Sequence, residues 1–255
     1  LVTFRQIDPF FVIDLSYDQP KVLGQLKLAG FSNYLHPYDQ NHIIGIGRDT
    51  QENDLSVQAL GVKIALFDVS DVSHPVTVDT YVIGGIGTDS EALYDHKALL
   101  FSREKNVLSI PVSMTQYEPP IPLEGKMGSG NASITPAPGP QIAEPPIRIK
   151  PEFWQGFYVF GIDPQYGFTL KAKIEHFNST DSNGYYGYGI QGDRSLYINN
   201  VLYTVSVNNL IKMNSLNDPT KEINSIDLGF SGCIVKYISP ESNNVTSVTD
   251  NQSAG

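Results

Sequence analysis

Six polar side chains have the types and spacing from which a binding or catalytic surface could be built. Three close one loop of the chain, two close a later loop at a similar position, and one lies near an earlier strand: Glu91, Asp95 and His96; Asp193 and Arg194; and His36. A carboxylate beside an imidazole can act as a general acid–base pair or bind a metal ion. The alternative is structural, because an Asp that hydrogen-bonds amides of its own turn and a histidine packed between sheets give the same pattern. Since Asp193 and Arg194 are adjacent, their side chains can diverge across a strand, and we interpret them first as turn residues.

A calcium site is the second chemical possibility. Residues 49–54 place oxygen ligands at alternating positions, with Asp49 and Asn53 as the candidates. The segment lacks the glycine and the distant glutamate of an EF-hand loop, so a solvated acidic loop is the preferred interpretation and no cofactor is expected.

The single cysteine, Cys233, excludes an internal disulfide and a cysteine zinc site, and we predict that it is a small buried side chain.

Composition and charge narrow the function classes. The formal net charge of −10 argues against a nucleic-acid ligand, which needs clustered Lys and Arg. No apolar run in the sequence reaches the length of a membrane-spanning helix. Residues 1–4 read as the middle of a strand, which predicts that the chain is a mature form or a fragment.

The elements that position these residues are strands in a repeated pattern. An apolar strand, a turn rich in Asp, Ser and Pro, and a second strand occur together four times. With Asp14, Asp68, Gly161 and Asn214 taken as equivalent, the copies lie roughly 53 residues apart once a Pro-rich insert of roughly 40 residues is removed. We expect Asp14 and Asp68 to accept hydrogen bonds from backbone amides at the ends of their strands.

Four strands, a to d, within such a period and paired in sequence predict one blade of a β-propeller. The fold class is therefore all-β, because helical periodicity is absent and a β-sandwich would not repeat a phrase at a constant period. With each blade running from a to d, the propeller occupies residues 1–240 and contains three whole blades and a split one. The Pro-rich insert is an irregular loop at 113–154, and a flexible Ser-, Asn- and Thr-rich tail occupies 241–255.

Loop lengths predict which end of the blades carries function. The a–b and c–d connections are short turns, whereas the b–c connections (84–96 and 175–194) and the d–a connections (48–61 and 113–154) are long. In an up-and-down blade all the long connections emerge at the same end. Because function tends to lie on variable loops over a rigid scaffold, we predict a loop-rich binding face at that end.

Four Asn-x-Ser/Thr sequons indicate an exported glycoprotein. Two fall in the long loops and two fall in the tail, all of them compatible with a surface position. They are Asn131, Asn178, Asn244 and Asn251.

The motifs FVIDLS at 11–16 and LFDVSD at 66–71 resemble the LVIVD-type propeller repeat of extracellular proteins. Longer motifs resemble the secreted β-propeller domain family of archaea and bacteria: TFRQIDPFFVID at 3–14, GFSNYLHP at 30–37, SEALYDHKA at 90–98 and RSLYI at 194–198. The resemblance implies export and a propeller distantly related to WD repeats, and it carries no catalytic residues. Members of the family usually have a substantial segment upstream of the TFR motif, and the Pro-rich insert and the tail fall outside the family pattern.

These observations lead to three functional hypotheses. The first is a secreted or cell-surface, non-enzymatic module that binds a protein or glycan through the loop-rich face. The second is an extracellular hydrolase or lyase, or a metal-dependent enzyme, with its site at the channel mouth. That hypothesis requires carboxylates and histidine that converge within about 3 Å of a substrate group. The third is a structural subunit of a cell-surface assembly.

Ring closure has two predicted solutions, because an open arc would leave sheet edges and apolar blade faces in water. Residues 1–5 could pair beside 233–238 and close a ring of four blades. Upstream blades of the same precursor could instead complete a ring of about seven or eight blades, and this is the solution that we prefer.

Overall fold

The computed structural model describes residues 10–16, 18–53, 56–116, 152–178, 192–207 and 210–228. Within these residues the chain forms fourteen β-strands and two 3-10 helices. The strands are β1 Phe10–Asp14, β2 Lys21–Leu26, β3 Phe31–Pro37, β4 His42–Asn53, β5 Ser56–Asp68, β6 Val76–Ile83, β7 Leu100–Ser102, β8 Val107–Gln116, β9 Glu152–Asp163, β10 Gly167–Asn178, β11 Gly192–Ile198, β12 Val201–Ser206, β13 Leu210–Ser215 and β14 Glu222–Asp227. The 3-10 helices, Glu91–Leu93 and His96–Ala98, lie between β6 and β7. Neither helix of the described chain approaches the length or apolar character of a membrane-spanning helix.

The strands form four antiparallel sheets in which neighbours in sequence are also neighbours in space. Sheet 1 contains β1 and β2, sheet 2 contains β3 to β6, sheet 3 contains β7 to β10, and sheet 4 contains β11 to β14. The prediction of an all-β fold built from four-stranded antiparallel blades, three whole and one split, is confirmed.

The predicted boundary between blades is wrong by half a repeat. Each whole sheet begins with the strands assigned as c and d and ends with strands a and b of the following copy; in sheet 2 these are β3 and β4, then β5 and β6. Residues 48–53 and 56–61, which fall in the predicted loop at 48–61, are the paired ends of β4 and β5, where Asn53 lies opposite Ser56. The b–c connection at 84–99 is the one that crosses to the next sheet. A repeat period gives the length of the unit and leaves its starting strand undetermined.

Alternation along the strands explains why the middle strands are apolar throughout. In β5, Ile64 and Leu66 point to one side of sheet 2, while Ala65 and Phe67 point to the other, as a pleated strand requires. All four residues are buried, because sheets stack against both faces of sheet 2. Burying each of the larger side chains stabilises the fold by about 1.5–3 kcal/mol.

Buried clusters join the four sheets face to face. Sheets 1 and 2 share a small cluster in which the rings of Phe10 and Phe67 stack with their centroids 4.8 Å apart. A larger cluster between sheets 2 and 3 includes Ile46 and Phe160. Sheets 3 and 4 meet through residues that include Leu202. The candidate residues are therefore carried on a stack of consecutive sheets.

Asp14 and Asp68 cap their strands as predicted, since each carboxylate accepts a hydrogen bond from a backbone amide two residues later. In the third copy this role belongs to Asp163, whose Oδ1 accepts a hydrogen bond from the Gln165 amide at 2.8 Å. The predicted equivalent, Gly161, lies two residues too early. The reason is that β9 continues past the glycine and ends at Asp163.

The predicted insert at 113–154 is too long, because both of its ends belong to strands. They extend β8 and β9, so that Ser113 lies opposite Gln155 and Met114 lies opposite Trp154. Proline content does not reveal this pairing, since the prolines lie between the paired ends.

Several predictions concern residues outside the described ones: the ring closure by 1–5 and 233–238, the core of the insert at 117–151, Cys233, and the tail at 241–255.

Candidate functional site

We call residues 84–99, which connect β6 to β7, the linker. It leaves sheet 2 at the same end as the β4–β5 turn, which is the end predicted as the loop-rich face. The first 3-10 helix is capped by Ser90, whose Oγ accepts a hydrogen bond from the Ala92 amide and donates one to the carbonyl oxygen of Pro111. Ala92 and Leu93 are buried in the core between sheets 2 and 3. The linker is therefore a packed segment rather than a free loop.

Arg48 of β4, a residue that the sequence does not single out, ties the linker to sheet 2. Its Nη1 donates to the carbonyl oxygen of Thr88 at 3.0 Å. Its Nη2 donates to Asp89 Oδ1 at 2.6 Å and to the hydroxyl oxygen of Tyr94 at 3.0 Å. Asp89 also forms a backbone bridge to Ser113 of β8. The charge-assisted contact of Arg48 joins β4 to the linker, and the backbone bridge joins the linker to β8 at the same point.

The structure brings Asp95 and Arg194 together between the linker and sheet 4. Asp95 caps the second 3-10 helix through Oδ1, which accepts from the Lys97 amide at 2.9 Å, and its Oδ2 lies 3.4 Å from Nη2 of Arg194. The Nε of Arg194 lies 3.6 Å from Asp193 Oδ1. The interpretation of Asp193 and Arg194 as turn residues is wrong, because β11 begins at Gly192 and both residues belong to it. Both ion pairs are partly exposed, so they orient the side chains more than they stabilise the fold.

His36 and His96 take part in a row of contacting rings between sheet 2 and the start of sheet 3. The Tyr34 hydroxyl lies 3.0 Å from Nδ1 of His36, and the Tyr34 ring stacks on the His96 ring with the centroids 5.8 Å apart. His36 meets the ring of Phe101 edge-on at 5.1 Å. Burial lowers the pKa of His36, which favours the neutral imidazole at neutral pH. Both histidines therefore contact rings of a neighbouring element.

The row of rings continues to the short-turn end of the sheets. The rings of Tyr38 and Phe101 lie 5.7 Å apart between centroids, and the guanidinium carbon of Arg103 lies 5.3 Å from the Tyr38 centroid. Arg103 also lies 3.7 Å from Asp39, beside an open depression. Asp39 is a turn-capping carboxylate, because its Oδ1 accepts from the backbone amide of His42 at 2.8 Å. This end thus consists of capped turns, without an equivalent of the linker among the described residues.

Asp95 and His96, the predicted acid–base candidates, make their contacts with other groups: Asp95 with Arg194 and His96 with a tyrosine ring. Asp95 is paired with Arg194, and Glu91 is an exposed residue of the first 3-10 helix. The imidazole of His96 contacts the Tyr34 ring. Within the described ranges, no three His, Cys, Asp or Glu side chains are placed to hold a metal ion.

Asp49, one of the two calcium candidates, faces a cation of the protein itself. Its Oδ1 lies 3.8 Å from Nζ of Lys63, a buried lysine that also donates a hydrogen bond to the carbonyl oxygen of Ala29. Burial lowers the pKa of Lys63. Asn53, the other candidate, lies opposite Ser56 at the end of β4. Both candidates therefore belong to a strand and not to the solvated loop that the sequence indicates.

The glycosylation candidates fall mostly outside the described residues. Asn131, Asn244 and Asn251 lie there, and Asn178 is the last residue of β10. Glycosylation at these positions stays a prediction.

Arg48, Asp89 and Tyr94 are the site residues that sequence reasoning misses. Arg48 and Asp89 are 41 positions apart, and no local pattern links an arginine on a strand to a later connection. The one available signal is the SEALYDHKA motif at 90–98, which contains Tyr94.

Comparison with known proteins identifies a family and two archaeal relatives. A family model described as Beta propeller domain matches residues 1–219. A protein of Archaeoglobus fulgidus is 39% identical over 118 residues, and a protein of Methanocaldococcus jannaschii is 38% identical over 118 residues. Both are named as uncharacterized proteins, and each match covers 46% of this chain and 17% of the relative.

Proposed function

Because the chain belongs to the β-propeller domain family, we propose that it is a non-enzymatic module, secreted or held at the cell surface, that binds a protein or glycan through its loop-rich face. The observation that carries the proposal is the ion pair between Asp95 Oδ2 and Arg194 Nη2, which lie 3.4 Å apart. It stands beside a linker whose residues Ala92 and Leu93 are buried in the core. The linker and β11 of sheet 4 thereby present polar groups side by side. Binding residues are commonly placed on connections that a rigid scaffold positions.

The side chains at this end suit recognition better than catalysis. Tyr94, His96 and Arg194 are exposed, and tyrosine and arginine are the residue types that often dominate binding energies. Asp95 Oδ2 is paired with Arg194, and Asp95 Oδ1 accepts a hydrogen bond from the Lys97 amide. A general base would need a carboxylate or imidazole directed at a substrate proton. The paired arrangement favours the binding function.

Export of the protein as a glycoprotein is part of the proposal. The four sequons and the resemblance to a secreted family support it. Peptide mass spectrometry of the native protein, before and after enzymatic deglycosylation, tests it. We expect glycan mass on at least one of the four asparagines, and unmodified peptides covering all four would contradict this part of the proposal.

We also propose that further blades of the same precursor cover the outer face of sheet 4. Ser195 of β11 faces sheet 3, where its hydroxyl donates to Ser109 at 3.0 Å. The alternate residues Leu196 and Ile198 face the opposite way and are 43% and 56% exposed, whereas sheets 2 and 3 bury both of their faces. Exposed apolar patches of this kind mark contact surfaces. The matched segment makes up 17% of each relative, which also supports a larger assembly.

Two single substitutions at opposite ends of the sheets test the binding function. Arg194→Ala removes the cation of the loop-rich face, and Arg103→Ala removes a comparable exposed cation from the short-turn end. The wild type and both variants are probed with a panel of cell-surface proteins and a panel of immobilised glycans. We expect a saturable ligand whose affinity falls about tenfold in Arg194→Ala and is unchanged in Arg103→Ala. Equal affinity in all three proteins, or no ligand for the wild type in either panel, would contradict the proposal.

A further inference from the structure

Tyr94 combines high exposure with a fixed hydroxyl group. The residue is 67% exposed, yet its hydroxyl accepts a hydrogen bond from Arg48 Nη2 at 3.0 Å and donates one to Asp89 Oδ1 at 3.2 Å. Tyr166, on a turn at the opposite end of the sheets, is 77% exposed and has no hydroxyl bond to any described residue. Exposed side chains ordinarily change rotamer on the picosecond to nanosecond timescale. The two hydrogen bonds hold the Tyr94 ring in one orientation instead.

The backbone beneath Tyr94 is also fixed. Its amide donates to the carbonyl oxygen of Glu91 at 2.9 Å. Leu93, immediately before it, is buried in the core between sheets 2 and 3, and Asp95, immediately after it, caps the second 3-10 helix. A ligand that contacts the ring would therefore not have to order it, and this preorganisation increases affinity.

We propose that the Tyr94 ring is a stacking platform for a pyranose ring of a glycan; the inference rests on the binding function proposed above and names its ligand class. A pyranose has one face of C–H groups, which can pack on the electron-rich face of an aromatic ring. Its hydroxyl groups both donate and accept hydrogen bonds. At the edge of the ring, Asp89 Oδ2 lies 3.4 Å from the Tyr94 hydroxyl and keeps acceptor capacity for a sugar hydroxyl, because the bonds from Arg48 and Ser90 fall on Oδ1. The Arg48 guanidinium already donates to Thr88, Asp89 and Tyr94, and it orients the ring.

The surroundings of Tyr94 favour a glycan over a protein anchor. Hot spots of protein interfaces lie in well-packed, desolvated pockets surrounded by contacts that exclude water. The neighbours of Tyr94 along the linker are instead Glu91, Asp95, His96 and Lys97, all of them polar and most of them exposed. An exposed ring among charged groups matches a polar ligand that has a single apolar face.

The test uses the whole chain and immobilised oligosaccharides that contain hexose, N-acetylhexosamine or uronate residues. Affinity for the best-binding oligosaccharide is then measured by calorimetry for the wild type, Tyr94→Ala, Tyr94→Phe and Tyr166→Ala. We expect Tyr94→Ala to weaken binding about tenfold, because the platform is lost. Tyr94→Phe keeps the ring and loses both hydroxyl bonds, so we expect a loss of about threefold. Tyr166→Ala should bind like the wild type, and circular dichroism checks that every variant is folded.

Three outcomes would overturn the inference. These are affinity that Tyr94→Ala leaves unchanged, an equal loss in Tyr166→Ala, and no oligosaccharide ligand for the wild type. The last outcome, found together with a protein ligand that Arg194→Ala weakens, would reject the glycan and leave the proposed binding function standing. The two proposals therefore fail in distinguishable ways.

Discussion

The carboxylates of Asp14 and Asp68 accept the same hydrogen bond: in each case Oδ1 lies 2.8 Å from the backbone nitrogen two residues later, that of Ser16 and that of Ser70. In both aspartates this backbone bond is the main cause of a pKa below the ordinary range. Both are the last residues of their strands, β1 and β5. The repeat in the sequence therefore corresponds to a repeated turn in space.

Replacing Asp68 with alanine should lower the free energy of unfolding by about 0.5–1 kcal/mol, because the Ser70 amide loses its acceptor while solvent screens the exposed carboxylate. Asp68→Asn keeps a side-chain oxygen and should lose less. Urea denaturation at neutral pH measures both variants. Since folding lowers the pKa of Asp68, its contribution is present above the ordinary pKa and is lost as the pH falls through the folded value. If Asp68→Ala lowers the free energy of unfolding as much in strongly acidic solution as at neutral pH, this assignment is wrong.

The strands and their fourfold grouping could be predicted because the signals are local. Alternating apolar residues and Asp- or Pro-containing turns lie within a few residues of one another. The starting strand of each blade could not be predicted in this way. It depends on which connection continues the hydrogen-bond ladder, and that ladder continues from Asn53 to Ser56 while the linker interrupts it.

The candidate site was predictable only where its chemistry is local. Asp95 has the sequence context of a cap, and it caps the turn that follows it. Its pairing with Arg194 joins residues 99 positions apart, and the pairing of Arg48 with Asp89 joins residues 41 positions apart. Contacts of this kind follow from how the sheets stack, which no short pattern in the sequence specifies.

Arg48→Ala should destabilise the fold by about 1–2 kcal/mol, because the Thr88 carbonyl and the Asp89 carboxylate both lose a charged donor. The side chain of Arg48 is 20% exposed, so solvent screens the ion pair only in part. Arg48→Lys should recover less than half of the loss, since an ammonium cannot reproduce the planar fork of donors. Chemical denaturation of the three proteins gives these differences.

Arg103→Ala is the matched control for Arg48→Ala. The Arg103 side chain is 60% exposed and its Nη2 lies 3.7 Å from Asp39 Oδ2, so the variant should lose less than about 0.5 kcal/mol. Equal losses in the two variants would show that Arg48 does not anchor the linker.

His176 of β10 is buried between sheets 3 and 4, with 9% exposure. Its Nε2 lies 2.8 Å from Thr204 Oγ1, and its Nδ1 has no hydrogen-bond partner among the described residues. Burial, helped by the charge of Lys212 and opposed by that of Glu222, lowers the pKa of His176 to about 4. The folded protein therefore holds this imidazole neutral under mildly acidic conditions.

The free energy of unfolding should fall as the pH drops from 6.5 towards 4, because the unfolded chain protonates His176 in this range and the folded chain does not. Protonation of His176 in the unfolded chain lowers the free energy of unfolding by at most about 3 kcal/mol. Above pH 6.5 both states hold the imidazole neutral, and no such loss remains. His176→Gln keeps a side chain that can bond Thr204 and cannot titrate, so its stability should depend less steeply on pH. The same pH slope in the variant and the wild type would rule out His176 as the source.

Removal of residues 119–150 should leave the melting temperature within about 5 °C of the wild-type value. The ladder between β8 and β9 extends to Gln116 and Glu152, which lie opposite each other, so residues 117, 118 and 151 are enough to join the strands as a hairpin. A shorter connection also has a smaller entropy of loop closure. Differential scanning calorimetry of the deletion variant measures the change.

Deletion of the whole span from 113 to 154 is the contrasting variant. It removes the buried Met114 and also Trp154, whose ring meets the Tyr158 ring edge-on with the centroids 5.5 Å apart. Loss of these contacts should lower the free energy of unfolding by at least about 2 kcal/mol. If the two deletions have the same small effect, the paired ends of β8 and β9 add nothing to stability. If the shorter deletion alone abolishes the cooperative transition, residues 119–150 contribute to the core and the prediction is wrong.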